Sequence, residues 1–66
     1  MNVVINGEQR EVQPHTSVGE AVRSVTDTSH RVAVAVNDEV VPRARWEHTE
    51  LSDNDRVDVL TPVQGG

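Results

Sequence analysis

A chain of 66 residues that contains no cysteine has to hold itself together by packing alone. A domain this short buries only about 60% of the surface that its unfolded form exposes, and small domains often lean on disulfides or a structural metal. Three histidines, His15, His30 and His48, lie in separate segments without His-x-x-His or His-Glu-x-x-His spacing, so they read as surface residues and no metal is expected. Trp46 is the only aromatic residue and is expected to cover one end of a valine-rich core. The missing cysteines fit a reducing compartment, and no apolar run approaches a signal peptide or a membrane span. A cytoplasmic domain with no membrane contact is the expectation.

Hydrophobic periodicity orders the chain. Residues 1 to 6 alternate, with Met1, Val3 and Ile5 on one side, which suits a strand. Asn6-Gly7 fits a two-residue type I′ turn, so residues 8 to 13 should return antiparallel with Val12 inward. Ser17 and Glu20 make a capping box; Val18, Ala21, Val22 and Val25 then form one apolar helical stripe, with Glu20 and Arg23 in water. Gly19 weakens that helix. Thr26 to Ser29 reads as a loop, and the β-branched run Val32 to Val36 as the central strand with neighbours on both edges. Asn37-Asp38 turns into a short strand at Glu39 to Val41, stopped or held at an edge by Pro42. Residues 43 to 50 read as an irregular connection anchored by Leu51. Asp53-Asn54-Asp55 turns into a last strand, Arg56 to Leu60, with Val57 and Val59 inward.

This order describes an α+β domain: a mixed five-stranded sheet with one helix packed on one face. Ubiquitin-like β-grasp folds have this order, and other small ββαββ arrangements fit the same string. The domain is expected to occupy residues 1–60, with 61–66 a flexible C-terminal tail.

Net charge is −5, from eleven acids against six arginines and no lysine. That is the wrong sign for neutralising phosphates, so nucleic acid is not an expected partner. A chain without lysine also offers no internal amine for an isopeptide-linked copy of itself.

The tail, Thr61-Pro-Val-Gln-Gly-Gly66, is where chemistry is expected. A carboxylate is a poor electrophile and needs activation, typically as an acyl-adenylate made from ATP. The chain has no Gly-rich phosphate loop and is too small to enclose a nucleotide, so the activating enzyme must be another protein. Six residues reach about 20 Å when extended, enough to enter a neighbour's pocket. Pro62 stiffens the base of the tail, while Gly65 and Gly66, without Cβ atoms, pass a narrow tunnel. No catalytic side chain is needed: Ser17 is accounted for as a helix cap, and the chain is not read as an enzyme.

Asn37-Asp-Glu-Val-Val-Pro-Arg-x-x-Trp46, Asp53-x-Asp-x-Val57 and Val63-Gln-Gly-Gly66 together resemble the ThiS family, the sulfur carriers of thiamine biosynthesis, over essentially the whole chain. Asn54 stands where relatives usually have glycine, and Arg31 where a glycine often precedes the central strand. The resemblance implies that an E1-like enzyme adenylates Gly66 and that sulfur from a persulfide replaces AMP. The resulting thiocarboxylate on Gly66 then serves thiazole synthase, and no cofactor is bound by the carrier itself. Rival readings are a carrier for another pathway (molybdopterin, cysteine or a specialised metabolite), a protein modifier joined to target lysines, and a passive binding module.

Alternation also predicts a docking face opposite the helix. Val4 and Leu60 point away from the core, and parallel first and last strands would set them side by side, with Ala33 and Ala35 on the next strand. Val4, Leu60 and Ala35, with Val63 and Gln64 of the tail, are the expected partner-contacting residues. Arg43 either meets a partner's acid or bonds the loop around Glu47 and Glu50.

Overall fold

Each apolar pattern takes the element that its period favours in the structure, a computed structural model that describes residues 1–26 and 31–61. Val3 and Ile5 are buried on β1 (Asn2–Ile5). Asn6 and Gly7 both hold positive φ, 51° and 81°, as a type I′ turn requires. The chain returns as β2 (Glu8–Glu11), antiparallel to β1 from Ile5↔Glu8 to Asn2↔Glu11. β2 is shorter than expected, although the Val12 N–H still bonds the Met1 carbonyl at 2.8 Å and its side chain packs against the core.

The capping box forms as read: the Glu20 N–H donates to Ser17 Oγ and the Ser17 N–H to Glu20 Oε1, each at 3.1 Å. It starts α1 (Val18–Arg23), which buries Val18, Ala21 and Val22; Val25, just past its end, packs half-buried against the same core. Of the expected loop, Thr26 is half-buried and residues 27–29 lie outside the described residues.

The sheet runs β2-β1-β5-β3-β4. β3 (Ala33–Val36) has a neighbour on each edge, as its apolar run implies, yet the central strand is β5 (Arg56–Leu60). The reason is the outer neighbour. β4 (Glu39–Val40) is two residues long, joined to β3 by a turn in which Asn37 and Asp38 both have positive φ, and Pro42 follows it too closely for another strand to build on it. β1 and β5 pair in parallel, Val4↔Arg56 and Ile5↔Val57. The result is a ubiquitin-like β-grasp: a mixed five-stranded sheet with one helix across one face.

Residues 43 to 50 are not irregular. A 3-10 helix (Arg43–His48) follows Pro42, whose carbonyl accepts the Arg45 N–H at 2.8 Å, and it turns Trp46 into the core at 3% exposure. The indole N–H donates to the Val41 carbonyl at 2.9 Å. Only Trp46 of these six residues is buried, so the segment carries no helical apolar period that would announce it.

Glu47, on the same 3-10 helix, accepts hydrogen bonds from the Arg23 guanidinium and sits where a Cβ on Gly19 would go. That hydrogen bond, opposed by partial desolvation, holds the Glu47 carboxyl below the usual carboxylate range. A lowered carboxylate pKa supports the fold fully above the ordinary carboxylate value and loses that support as pH falls from there through the lowered pKa; here the pair is exposed, so the effect is small. Gly19→Ala should displace the flexible Glu47 carboxylate while gaining helix propensity, worth up to about 1 kcal/mol and less in a first turn. We expect an unchanged or slightly raised thermal midpoint together with a Glu47 titration moved up toward the ordinary value. Loss of cooperative folding would mean that the carboxylate cannot swing away.

Candidate functional site

The last strand outruns its parallel neighbour. Beyond Ile5↔Val57 the β1 chain turns away at Asn6, and the Val59 N–H is met by Asn6 Oδ1 at 2.7 Å instead of by a strand carbonyl. On the other edge β3 stays in register as far as Ala33↔Leu60. Val59 therefore remains in the core at 7% exposure, whereas Leu60 projects from the opposite face at 66%. Thr61 is exposed and is the last described residue. The expected tail contacts Val63 and Gln64, and the working glycines Gly65 and Gly66, lie outside the described residues.

Val4 and Leu60 share the open face but are not side by side. In the parallel register Val4 faces Arg56, four residues before Leu60 and so about 13 Å from it along the strand. The parallel pairing of β1 with β5 is as expected and its register is not. Between them lies a charged group: Arg56 bonds Asp38 and stands 3.7 Å from Asp58. Its guanidinium pKa is raised first by the Asp38 hydrogen bond and then by the charges of Asp38 and Asp58. Val4 is half-buried and lies outside the apolar patch at the tail root.

Ala35 is also half-buried, between Asp58 on β5 and Val40 on β4. Val40, at 74% exposure, is the larger apolar surface here and was missed by the sequence reading. The signal was available: a two-residue Asn37-Asp38 turn closes Val36↔Glu39, so the next pair must be Ala35↔Val40, on one face.

Around Leu60 an open groove of about 440 Å³ is lined by Arg31, Val32, Ala33, Arg43, Leu60 and Thr61. Arg43 lies over the Trp46 ring, 5.2 Å from its centroid, which holds its guanidinium against the indole face. Glu47 is bonded by Arg23, and Glu50 pairs with His15 Nδ1 at 3.1 Å. Ser17 is buried and fully used as a cap. His15 and His48 are exposed and His30 lies outside the described residues; no three or more His, Asp or Glu side chains among those described are grouped to hold a metal ion. No helix among them is long and apolar enough to cross a membrane.

A β-grasp body whose middle strand ends at an exposed apolar root, with a diglycine segment beyond it, defines a ubiquitin-like carrier. The chain belongs to the ThiS family, which it matches over residues 3–66. Members are small sulfur carrier proteins of thiamine biosynthesis, not enzymes.

The crystal structure of the thiamine biosynthesis protein ThiS from Geobacter metallireducens superposes with a TM-score of 0.81 at 30% identity, covering all of both chains. The solution structure of a thiamine biosynthesis protein from the same organism gives 0.78 at 29% identity, covering all of this chain and 88% of that one. Among curated proteins, an uncharacterized protein ycf40 of Pyropia yezoensis is 33% identical over 66 residues, 93% of its length. A thiazole synthase of Paramagnetospirillum magneticum is 30% identical over the same span, all of this chain but only 20% of that protein.

The face assignment predicts an asymmetry between adjacent residues. Leu60→Asp places its charge in water and should leave the thermal midpoint within a few degrees of wild type. Val59→Asp buries an unpaired carboxylate at a cost of several kcal/mol, comparable to the whole stability of so small a domain, and should abolish the cooperative transition in circular dichroism. Equal loss in both variants would show that Leu60 is core.

Proposed function

We propose that the Gly66 carboxylate of this sulfur carrier is the group that carries the sulfur. The observation that supports this best is that the family match runs through to Gly66, on a body that presents the root of the tail outward. In this reading the domain is residues 1–60, and residues 61–66 are the segment that enters the partner.

The chemistry follows from the weak electrophilicity of a carboxylate. An E1-like enzyme binds ATP, and a Gly66 carboxylate oxygen attacks its α-phosphorus; pyrophosphate leaves and an acyl-adenylate forms. A persulfide sulfur then attacks the carbonyl carbon and displaces AMP, and a thiol cleaves the acyl disulfide to leave the thiocarboxylate. Nothing in this sequence asks for a side chain of the carrier. Its body supplies recognition, and its glycines allow close approach of the carboxyl to the enzyme.

Thiazole synthase is the acceptor we favour. A protein of that name contains a stretch similar to this entire chain, and partners that work together are often joined in one polypeptide. A cytoplasmic setting supplies both ATP and reduced thiols.

Incubated with ATP, the activating enzyme of its own organism and a sulfur donor, the protein should gain the mass difference of one oxygen replaced by sulfur. Intact-mass spectrometry checks this. An unchanged mass, under conditions that convert a control carrier, would end the carrier reading of Gly66, and higher-mass conjugates to lysines would favour a protein modifier.

Gly65 provides a second test. A valine there adds a branched side chain where the tail threads the enzyme, so Gly65→Val should slow adenylation on the order of 100-fold without moving the thermal midpoint. Adenylation at the wild-type rate would remove the steric reason for glycine at this position.

A further inference from the structure

The arginines are distributed unevenly over the open face and its margins. Arg10 is paired with Glu8, Arg23 with Glu47, and Arg56 with Asp38 and Asp58. Arg31 and Arg45, by contrast, have no carboxylate partner among the described residues, and of these two Arg31 lines the groove around Leu60. It is exposed and lines the groove together with Val32, Ala33, Leu60 and Arg43, whose guanidinium lies over Trp46. A chain of net charge −5 thus lines an aliphatic groove with two arginines, at the point where the tail begins.

We propose that this groove receives an acidic-edged apolar segment of the acceptor enzyme, an aliphatic or aromatic side chain bordered by Asp or Glu, with Arg31 steering and registering the approach. The inference rests on the carrier reading above. Thr61 lines the groove, so an enzyme that takes up residues 62–66 has to pass over it. Leu60 and its aliphatic neighbours supply the apolar centre of an interface, and the guanidinium groups supply its polar rim, where arginine is enriched. Two cations cannot neutralise a nucleic-acid backbone against the overall negative charge, which leaves a protein carboxylate as the complement. Rim charges act mainly on the association rate and lose their effect in salt; the apolar centre acts mainly on dissociation.

The test measures association with the thiazole synthase of the same organism by surface-immobilised kinetics at low and high ionic strength. Arg31→Glu should lower the association rate about tenfold at low salt, with the deficit largely gone at high salt. Arg10→Glu makes the same change in net charge on β2, at the far edge of the sheet, and should stay within about twofold of wild type. Leu60→Ala should chiefly speed dissociation. Both arginines are exposed, so matching thermal midpoints should accompany these differences. If Arg31→Glu and Arg10→Glu behave alike, the assignment of the groove is overturned while the carrier reading stands. If wild type fails to bind although its thiocarboxylate forms, thiazole synthase is not the acceptor and the groove assignment falls with it.

Discussion

The parallel pairing of β1 with β5 decides where the working end of this protein emerges. It joins the first strand to the last through only two registered pairs, Val4↔Arg56 and Ile5↔Val57, and a contact so distant in sequence carries a large loop-closure cost. Side chains from both hairpin turns hold β5, one from the β1 side and one from the β3 side. Asn6 Oδ1 accepts the Val59 N–H at 2.7 Å, and Asn37 Oδ1 accepts the Arg56 N–H at 2.9 Å, so one asparagine grips β5 near each end. At the start of β1, the Asn2 carbonyl accepts the Asn54 N–H at 2.6 Å and the Asn2 N–H donates to Asp53 at 2.8 Å. β5 is thereby fixed in the middle of the sheet, bonded along both edges where it leads to the root of the tail.

Asn6 and Asn37 also show where sequence reading stops. Both were legible as turn residues, because asparagine tolerates positive φ and each stands at a two-residue turn between apolar runs. Their second role, holding an N–H on a strand about twenty or more than fifty residues away, depends on tertiary placement that no local pattern encodes. The same distinction runs through the rest of the molecule. Alternation placed Val3, Ile5, Val57 and Val59 inward and Leu60 outward, and the capping box placed the helix start. Register across β1 and β5 has no hairpin to fix it, so Val4 was set beside Leu60 when it faces Arg56. The 3-10 helix was invisible for a related reason: with one buried residue in six it has no period to read.

Charge on the open face follows from the registers on both edges of β5. The β3 pairing Val36↔Val57 sets Arg56 beside the Asn37-Asp38 turn, Asp58 follows two residues on along β5, and Val4 lies opposite Arg56, so the Val4 half of the face becomes polar and largely self-neutralised. The Leu60 half keeps its aliphatic surface and its arginine margin. One sheet face is thus divided into a region that water satisfies and a region that a partner can desolvate at little polar cost. The diglycine and the family motifs identified the tail from sequence; the division of the face required the fold.

The segment from Arg43 to His48 connects stability to recognition. Trp46 contributes the largest side chain to a core otherwise built from small aliphatics, and removing such a ring typically costs about 3–5 kcal/mol. At about 0.05–0.15 kcal/mol per residue, a domain of this size has a total stability of similar order. Arg43, three residues earlier, is held over the same ring, so its position on the groove depends on Trp46 being packed. A loss of partner binding after substitution at either residue would therefore confound interface with core. Arg31 lines the groove from two residues before β3 instead, exposed and outside this 3-10 helix, so its contribution to docking is separable from the stability of the body.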